Sequence, residues 1–176
     1  MRQSVVLLGA FALFLFIATG EVSAQEQAIP QDKIPTRVMD ALLRKFPEAK
    51  IDKCTKAKEG NDFVYDIEFK QGDRKCEADM KENGTFINYE KAIKAKDLPK
   101  AVRSVIEKRH PKAILKKIME ETEVKGKDEK LSAYEVVLVT ADKMDVELRL
   151  SPEGVILEDT GARKPEEKSN RSRTGG

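Results

Sequence analysis

The sequence predicts an α+β fold made of two tandem repeats, each an N-terminal helix packed on an antiparallel sheet of about four strands. Three observations predict it. The chain of 176 residues repeats itself at a spacing of 64, with Ile34-Pro35, Val38, Leu42, Pro47 and Ile51 returning as Leu98-Pro99, Val102, Ile106, Pro111 and Leu115. Within each copy the apolar period changes from about four residues to two. Turn-forming pairs then divide the period-two part into short runs.

The first helix begins at Pro35, where a missing N–H costs least. Val38, Leu42 and Phe46 follow at four-residue spacing, and Pro47 forbids continuation. Pro99, Val102, Ile106 and Pro111 repeat the pattern in the second copy. After an insertion, Tyr65-Asp66-Ile67-Glu68-Phe69 returns as Tyr134-Glu135-Val136-Val137-Leu138, and Cys76-Glu77-Ala78-Asp79-Met80 as Val146-Glu147-Leu148-Arg149-Leu150. These alternating segments read as half-buried strands, with Gly60-Asn61, Gly72-Asp73 and Asn83-Gly84 as turns and Glu153-Gly154 matching the last of them. A unit of about 60 residues is marginal alone, so the two copies are expected to share a boundary. Whether their sheets join edge to edge or stack is left open. Val137 and Val139 make the Tyr134 strand apolar on both faces, a face either packed on the other copy or presented to a partner.

The expected organisation is a signal peptide over residues 1–24, a polar lead-in over 25–32, repeats over 33–93 and 97–160, and a disordered polar tail over 161–176. The leader has Arg2 at its start, an apolar run from Val5 to Ala18, and a small-residue exit at Val22-Ser23-Ala24. Cleavage after Ala24 predicts a periplasmic or secreted protein, the alternative being an uncleaved anchor. No later segment approaches the roughly 20 apolar residues of a membrane span. With 33 Lys and Arg against 31 Asp and Glu, the net charge of +2 provides no field favouring nucleic acid.

The Ile/Leu-Pro, Val, Leu/Ile and Phe-Pro or His-Pro helix, followed by Tyr-x-Ile/Val and an Asn-Gly or Glu-Gly hairpin, resembles the PepSY-like domain in tandem. The resemblance runs from about Lys33 to Glu158. It implies an α+β unit related to modules in propeptides of thermolysin-like peptidases and similar in architecture to tandem-repeat protein inhibitors of β-lactamase. Members of such families are secreted or periplasmic binding or inhibitory modules. The matching motif carries no functional residues, so none is transferred.

Reactive chemistry finds little support in the residues. His110 is the only histidine, occupies the place of Phe46 in the other copy, and reads as a packing or capping residue. No nucleophile motif, phosphate-binding glycine loop or calcium loop is present, and two isolated Cys with one His supply a zinc site poorly. No catalytic, cofactor-binding or metal residue is therefore assigned, and no cofactor is expected. Glu120, Glu121 and Glu123, set among Lys116, Lys117, Lys125 and Lys127, read as a solvated hairpin. Cys54 and Cys76 leave a disulfide and two buried thiols equally open: export favours the bond, while places on the first and third strands of a meander oppose it.

The leading functional expectation is an exported, non-enzymatic protein-interaction module with an unidentified protein partner, inhibition of an extracytoplasmic enzyme being one form of it. The alternative is binding of a small ligand or an anionic cell-surface polymer through the lysine-rich surface. A third reading makes Glu77 and Glu147 the acid/base pair of a carboxylate enzyme, although alternation expects both to face solvent.

Overall fold

The computed structural model describes residues 26–161; the expected leader and the tail beyond Gly161 lie outside them. Helix α1 (Thr36–Lys45) is followed by strands β2 (Ala49–Glu59), β3 (Asp62–Gln71), β4 (Arg74–Lys81) and β5 (Phe86–Ala92). Helix α2 (Lys100–Arg109) is followed by β6 (Ile114–Lys125), β7 (Asp128–Val139), β8 (Asp145–Leu150) and β9 (Ile156–Asp159). A two-residue strand β1 (Gln27–Ala28), inside the segment read as a polar lead-in, adds to the edge at β2.

The helices form as their prolines dictate. Pro35 and Pro99 stand at the N-caps, their carbonyls accepting from Val38 and Met39 and from Arg103. Phe46 and His110 stand at the C-caps and return their N–H groups to Leu42 and Ile106 at 2.7 and 2.8 Å. The proline after each cap ends the helix.

One feature of the expected architecture is wrong. There are not two sheets of four strands but one nine-stranded antiparallel sheet in sequential order β1 to β9. The last strand of the first half and the first strand of the second pair directly, Asn88 to Ala92 running against Glu123 to Met119. Each half alone would leave a row of free N–H and C=O groups there, and edge-to-edge pairing satisfies both rows.

Both helices cover the same face. The cross-strand row Phe69, Cys76, Lys91, Glu120, Tyr134 and Leu150 runs from the residues under α1 to those under α2. Val38, Leu42 and Phe46 pack on Tyr65, Ile67, Phe69 and Met80, and Val102 and Ile106 pack on Tyr134, Val136, Leu138 and Leu148. Phe46 anchors the first core, its ring 4.9 Å from Phe69 and 5.6 Å from Tyr89. The two cores are separate, but Val124 of the second half packs on the first and Ile93 of the first packs on the second.

Gly84 and Gly154 fix how closely each helix lies on its sheet. Both have φ +86, and a Cβ on Gly84 would stand 2.5 Å from the Arg37 carbonyl oxygen in the first turn of α1. Gly84→Ala is expected to cost about 2–5 kcal/mol, left-handed backbone strain plus overpacking against backbone that cannot swing away. A urea-unfolding midpoint unchanged by the substitution would contradict this.

Candidate functional site

The face of the sheet opposite the helices is covered by no other element among the described residues. Strand alternation places Asp66 and Glu68 of β3, Glu77 and Asp79 of β4, Glu90 of β5, Lys117 and Glu121 of β6, Glu135 and Val137 of β7, and Glu147 and Arg149 of β8 on it. Val64, Met119 and Ala133, which belong to neither helix-covered core, are buried there as well. A face expected to be solvated is instead crowded, most of its charged side chains half-buried and Glu121 and Glu135 buried.

Its central feature is a row of four glutamates. Glu68 lies opposite Glu77, Glu77 opposite Glu90, and Glu90 opposite Glu121, so the row crosses the junction between the two halves. Like charges directly opposite one another destabilise a sheet. Cations offset part of this: Lys53 donates to Glu68 at 2.9 Å, and Lys117 reaches Glu77 at 2.8 Å and Glu135 at 3.4 Å. Arg149 grips Glu121 with two bonds of 2.7 Å, and the Ser132 hydroxyl donates to the same carboxylate at 3.0 Å. Glu90, in the middle, has a buried Oε2 with no hydrogen-bond partner.

The electrostatics follow from this crowding. Burial, reinforced by Glu135 and Glu77, holds the Glu90 carboxyl well above the usual carboxylate range. Burial and Asp79 push Asp66 up to about 7, and burial pushes Asp79 to about 6 although Asn88 donates to it at 2.9 Å. Glu147 is pushed to about 7 by burial and Glu135. Burial works against the charge on Lys117, but Glu77 and Glu135 outweigh it and hold its pKa above the ordinary lysine value.

The residues singled out in the sequence fall into place unevenly. Glu77 and Glu147 share this face but are half-buried rather than solvated, and Glu77 is engaged by Lys117. The Glu120, Glu121 and Glu123 group is not one hairpin surface: Glu120 points to the helix side, Glu121 is buried against Arg149, and Glu123 pairs with Lys125 at 2.9 Å. Val137 sits beside Lys117 and Glu147 on the uncovered face instead of packing on the other half. Tyr65, Tyr89 and Tyr134 are all buried on the helix side. His110 caps α2 with its side chain 11% exposed, and its Nε2 lies 3.8 Å from the Asp159 carboxylate that Arg109 holds at 2.9 Å. Among the described residues no group of His, Cys, Asp and Glu is arranged to hold a metal ion, and no helix is long and apolar enough to cross a membrane.

Cys54 and Cys76 are both buried free thiols, on β2 and β4 with β3 between them. Burial pushes Cys54 up to about 12 and raises Cys76 as well, so neither is a ready nucleophile. Unfolded without reductant, the protein is expected to take up two alkyl groups per chain. A mass spectrum showing none, two hydrogens light, would establish the disulfide instead.

The fold has relatives among solved structures. A BLIP-like protein from Bacteroides fragilis NCTC 9343 is 18% identical, with 74% of this chain and 90% of that chain covered and a TM-score of 0.50. A protein from Bacteroides eggerthii DSM 20697, provisionally described as periplasmic, is 12% identical over 71% and 86% of the two chains, with a TM-score of 0.55. A DUF2874 family protein from Bacteroides uniformis ATCC 8492 is 14% identical over 71% and 87%, also at 0.55. At these identities the likeness is one of fold. No curated protein matches the chain. Two overlapping stretches, residues 19–88 and 63–158, match the beta-lactamase-inhibitor-like, PepSY-like family, and together they span most of the sequence; the chain belongs to the PepSY-like family.

Proposed function

We propose that the protein is an exported, non-enzymatic interaction module whose helix-free sheet face docks a protein partner with a basic surface. The observation that carries this reading is the uncovered row Glu68, Glu77, Glu90 and Glu121, in which four carboxylates oppose one another and the one at the repeat junction has an unpaired oxygen. A cationic side chain entering there would pair with Glu90, the one member of the row without an ion pair among the described residues, and favour its ionised form. The two halves act as copies of one helix-plus-four-strand unit whose joined sheets make the face broad enough for an interface of about 1,600 Å². With all three tyrosines on the helix side, aromatic anchors would have to come from the partner. The leader, and the periplasmic description of a fold neighbour, support export. The family's inhibitor-like name makes an extracytoplasmic enzyme the natural class of partner.

The uncovered face is no surface for an anionic polymer, which its carboxylates would repel. Nor does it favour the carboxylate enzyme, since Glu77 is committed to Lys117. A photo-crosslinking residue at Val137 or Glu123 is expected to capture one and the same protein in the extracytoplasmic fraction, while one at Arg103 on the outer side of α2 captures none. Equal capture from both faces, or none from Val137 and Glu123, would remove the reading.

A further inference from the structure

The helix side of the sheet carries a second, oppositely charged feature. Between the C-terminal end of α1 and the stretch linking β5 to α2 lies an open cleft of about 770 Å³, in the range of small-molecule sites. Lys45 and Phe46 come from the helix end, Arg74, Lys75 and Cys76 from the start of β4, and Lys91 and Ile93 from β5 and beyond. Five of its lining residues, Lys45, Arg74, Lys75, Lys91 and Lys94, are basic against the two acidic ones, Asp73 and Asp97, although strand alternation turns the Lys75 side chain to the other face.

The arrangement is specific in three respects. Lys45 and Lys91 converge on the Tyr89 ring, their ammonium nitrogens 4.4 and 4.9 Å from its centroid. Lys45 is neutralised by Glu129, whereas Lys91 forms no ion pair among the described residues even though Glu120 lies directly opposite it in the sheet. The Phe46 ring and Ile93 give the cleft an apolar wall, while the Cys76 thiol at its floor is kept neutral by burial. Finally, the side-chain oxygen of Gln71, another lining residue, is buried with no donor, and an unpaired buried acceptor costs about 1–3 kcal/mol unless something supplies the bond.

We propose that this cleft binds a small organic anion, an aryl or alkyl phosphate or carboxylate, with the anionic head at Lys91 and Arg74 and the apolar body against Phe46 and Ile93. A donor on the ligand, or a water it traps, completes the bond to Gln71. The cleft lies on the opposite side of the sheet from the acidic face, so binding there neither requires nor excludes a protein docked on that face.

Phenyl phosphate is the probe. Titrated into the isotope-labelled full chain at low salt, it is expected to move the amide signals of Gln71, Lys75, Lys91 and Ile93 along one saturating curve. Neutral benzyl alcohol should move them without saturation, and inorganic phosphate should bind about tenfold or more weakly because it has no body for the apolar wall. Lys91→Gln and Arg74→Gln should each weaken phenyl phosphate by about tenfold, the loss of one charge-assisted bond, whereas Lys108→Gln on α2 leaves it unchanged. The unfolding midpoint of each variant verifies that the fold survives. Shifts that never saturate, that scatter over surface lysines, or that persist undiminished in Lys91→Gln would overturn the proposal.

Discussion

Arg149→Met is expected to destabilise the protein by about 2–4 kcal/mol near neutral pH, since the substitution keeps the apolar length of the side chain but strands the Glu121 carboxylate in a sealed site. Glu121 is 9% exposed and receives both Arg149 bonds, so its charge has little access to water once the guanidinium is gone. Ser132 alone supplies one neutral bond in place of two charged ones. The double variant Arg149→Met with Glu121→Met is expected to recover most of the loss, because replacing a buried pair as a unit removes both the attraction and the desolvation. A double-mutant cycle by urea unfolding reads the coupling directly. A single-variant loss below about 0.5 kcal/mol would mean that the pair behaves like a solvated surface bridge.

That pair also shows how far the sequence could be read. The helices were legible because Pro35, Pro47, Pro99 and Pro111 leave few alternatives, and Val38, Leu42, Val102 and Ile106 mark one buried stripe each, although Pro35 and Pro99 turn out to cap the helices rather than begin them. Turn positions were legible from Gly60, Gly72 and Gly84, all with positive φ in the fold. Alternation put Glu77 and Glu147 opposite the apolar positions of their strands, but a period of two gives a face and not a depth. Reading Glu121 as solvated failed because its burial comes from Arg149, 28 residues away on β8, and from Ser132 at a break in the β6–β7 register. The glutamate row was invisible for the same reason. It exists only once β3, β4, β5 and β6 are aligned, and the β5–β6 pairing that completes it is a junction no local pattern encodes. The cationic cleft likewise assembles a helix end, a strand start and a linker that are scattered in the chain.

The acidic face should make the protein more stable in mild acid than in base. Asp66 and Glu147 titrate at about 7 and Asp79 at about 6 in the folded chain, and Glu90 lies higher than an ordinary carboxyl, whereas the unfolded chain releases these protons near pH 4. Between those limits the folded state holds more protons than the unfolded one, so stability falls as pH rises. The contribution is complete below about pH 4, declines through 6 to 7 as Asp79, Asp66 and Glu147 ionise, and goes on declining above that as Glu90 is forced to ionise. Because the carboxylates share one field, neutralising one relieves its neighbours, and the separate shifts do not add. A net loss of about 2–4 kcal/mol from pH 5 to pH 8 is the reasonable scale, visible as a melting midpoint about 6–12 °C lower at the higher pH. Glu90→Gln tests the origin of the slope, since it fixes the neutral form at the centre of the row. The variant should match the parent at pH 5, exceed it at pH 9, and flatten the curve between them. If stability instead climbed from pH 5 to pH 8, or Glu90→Gln left the slope untouched, the carboxylates of this face would be solvated, and the case for a partner drawn by their crowding would lose its physical basis.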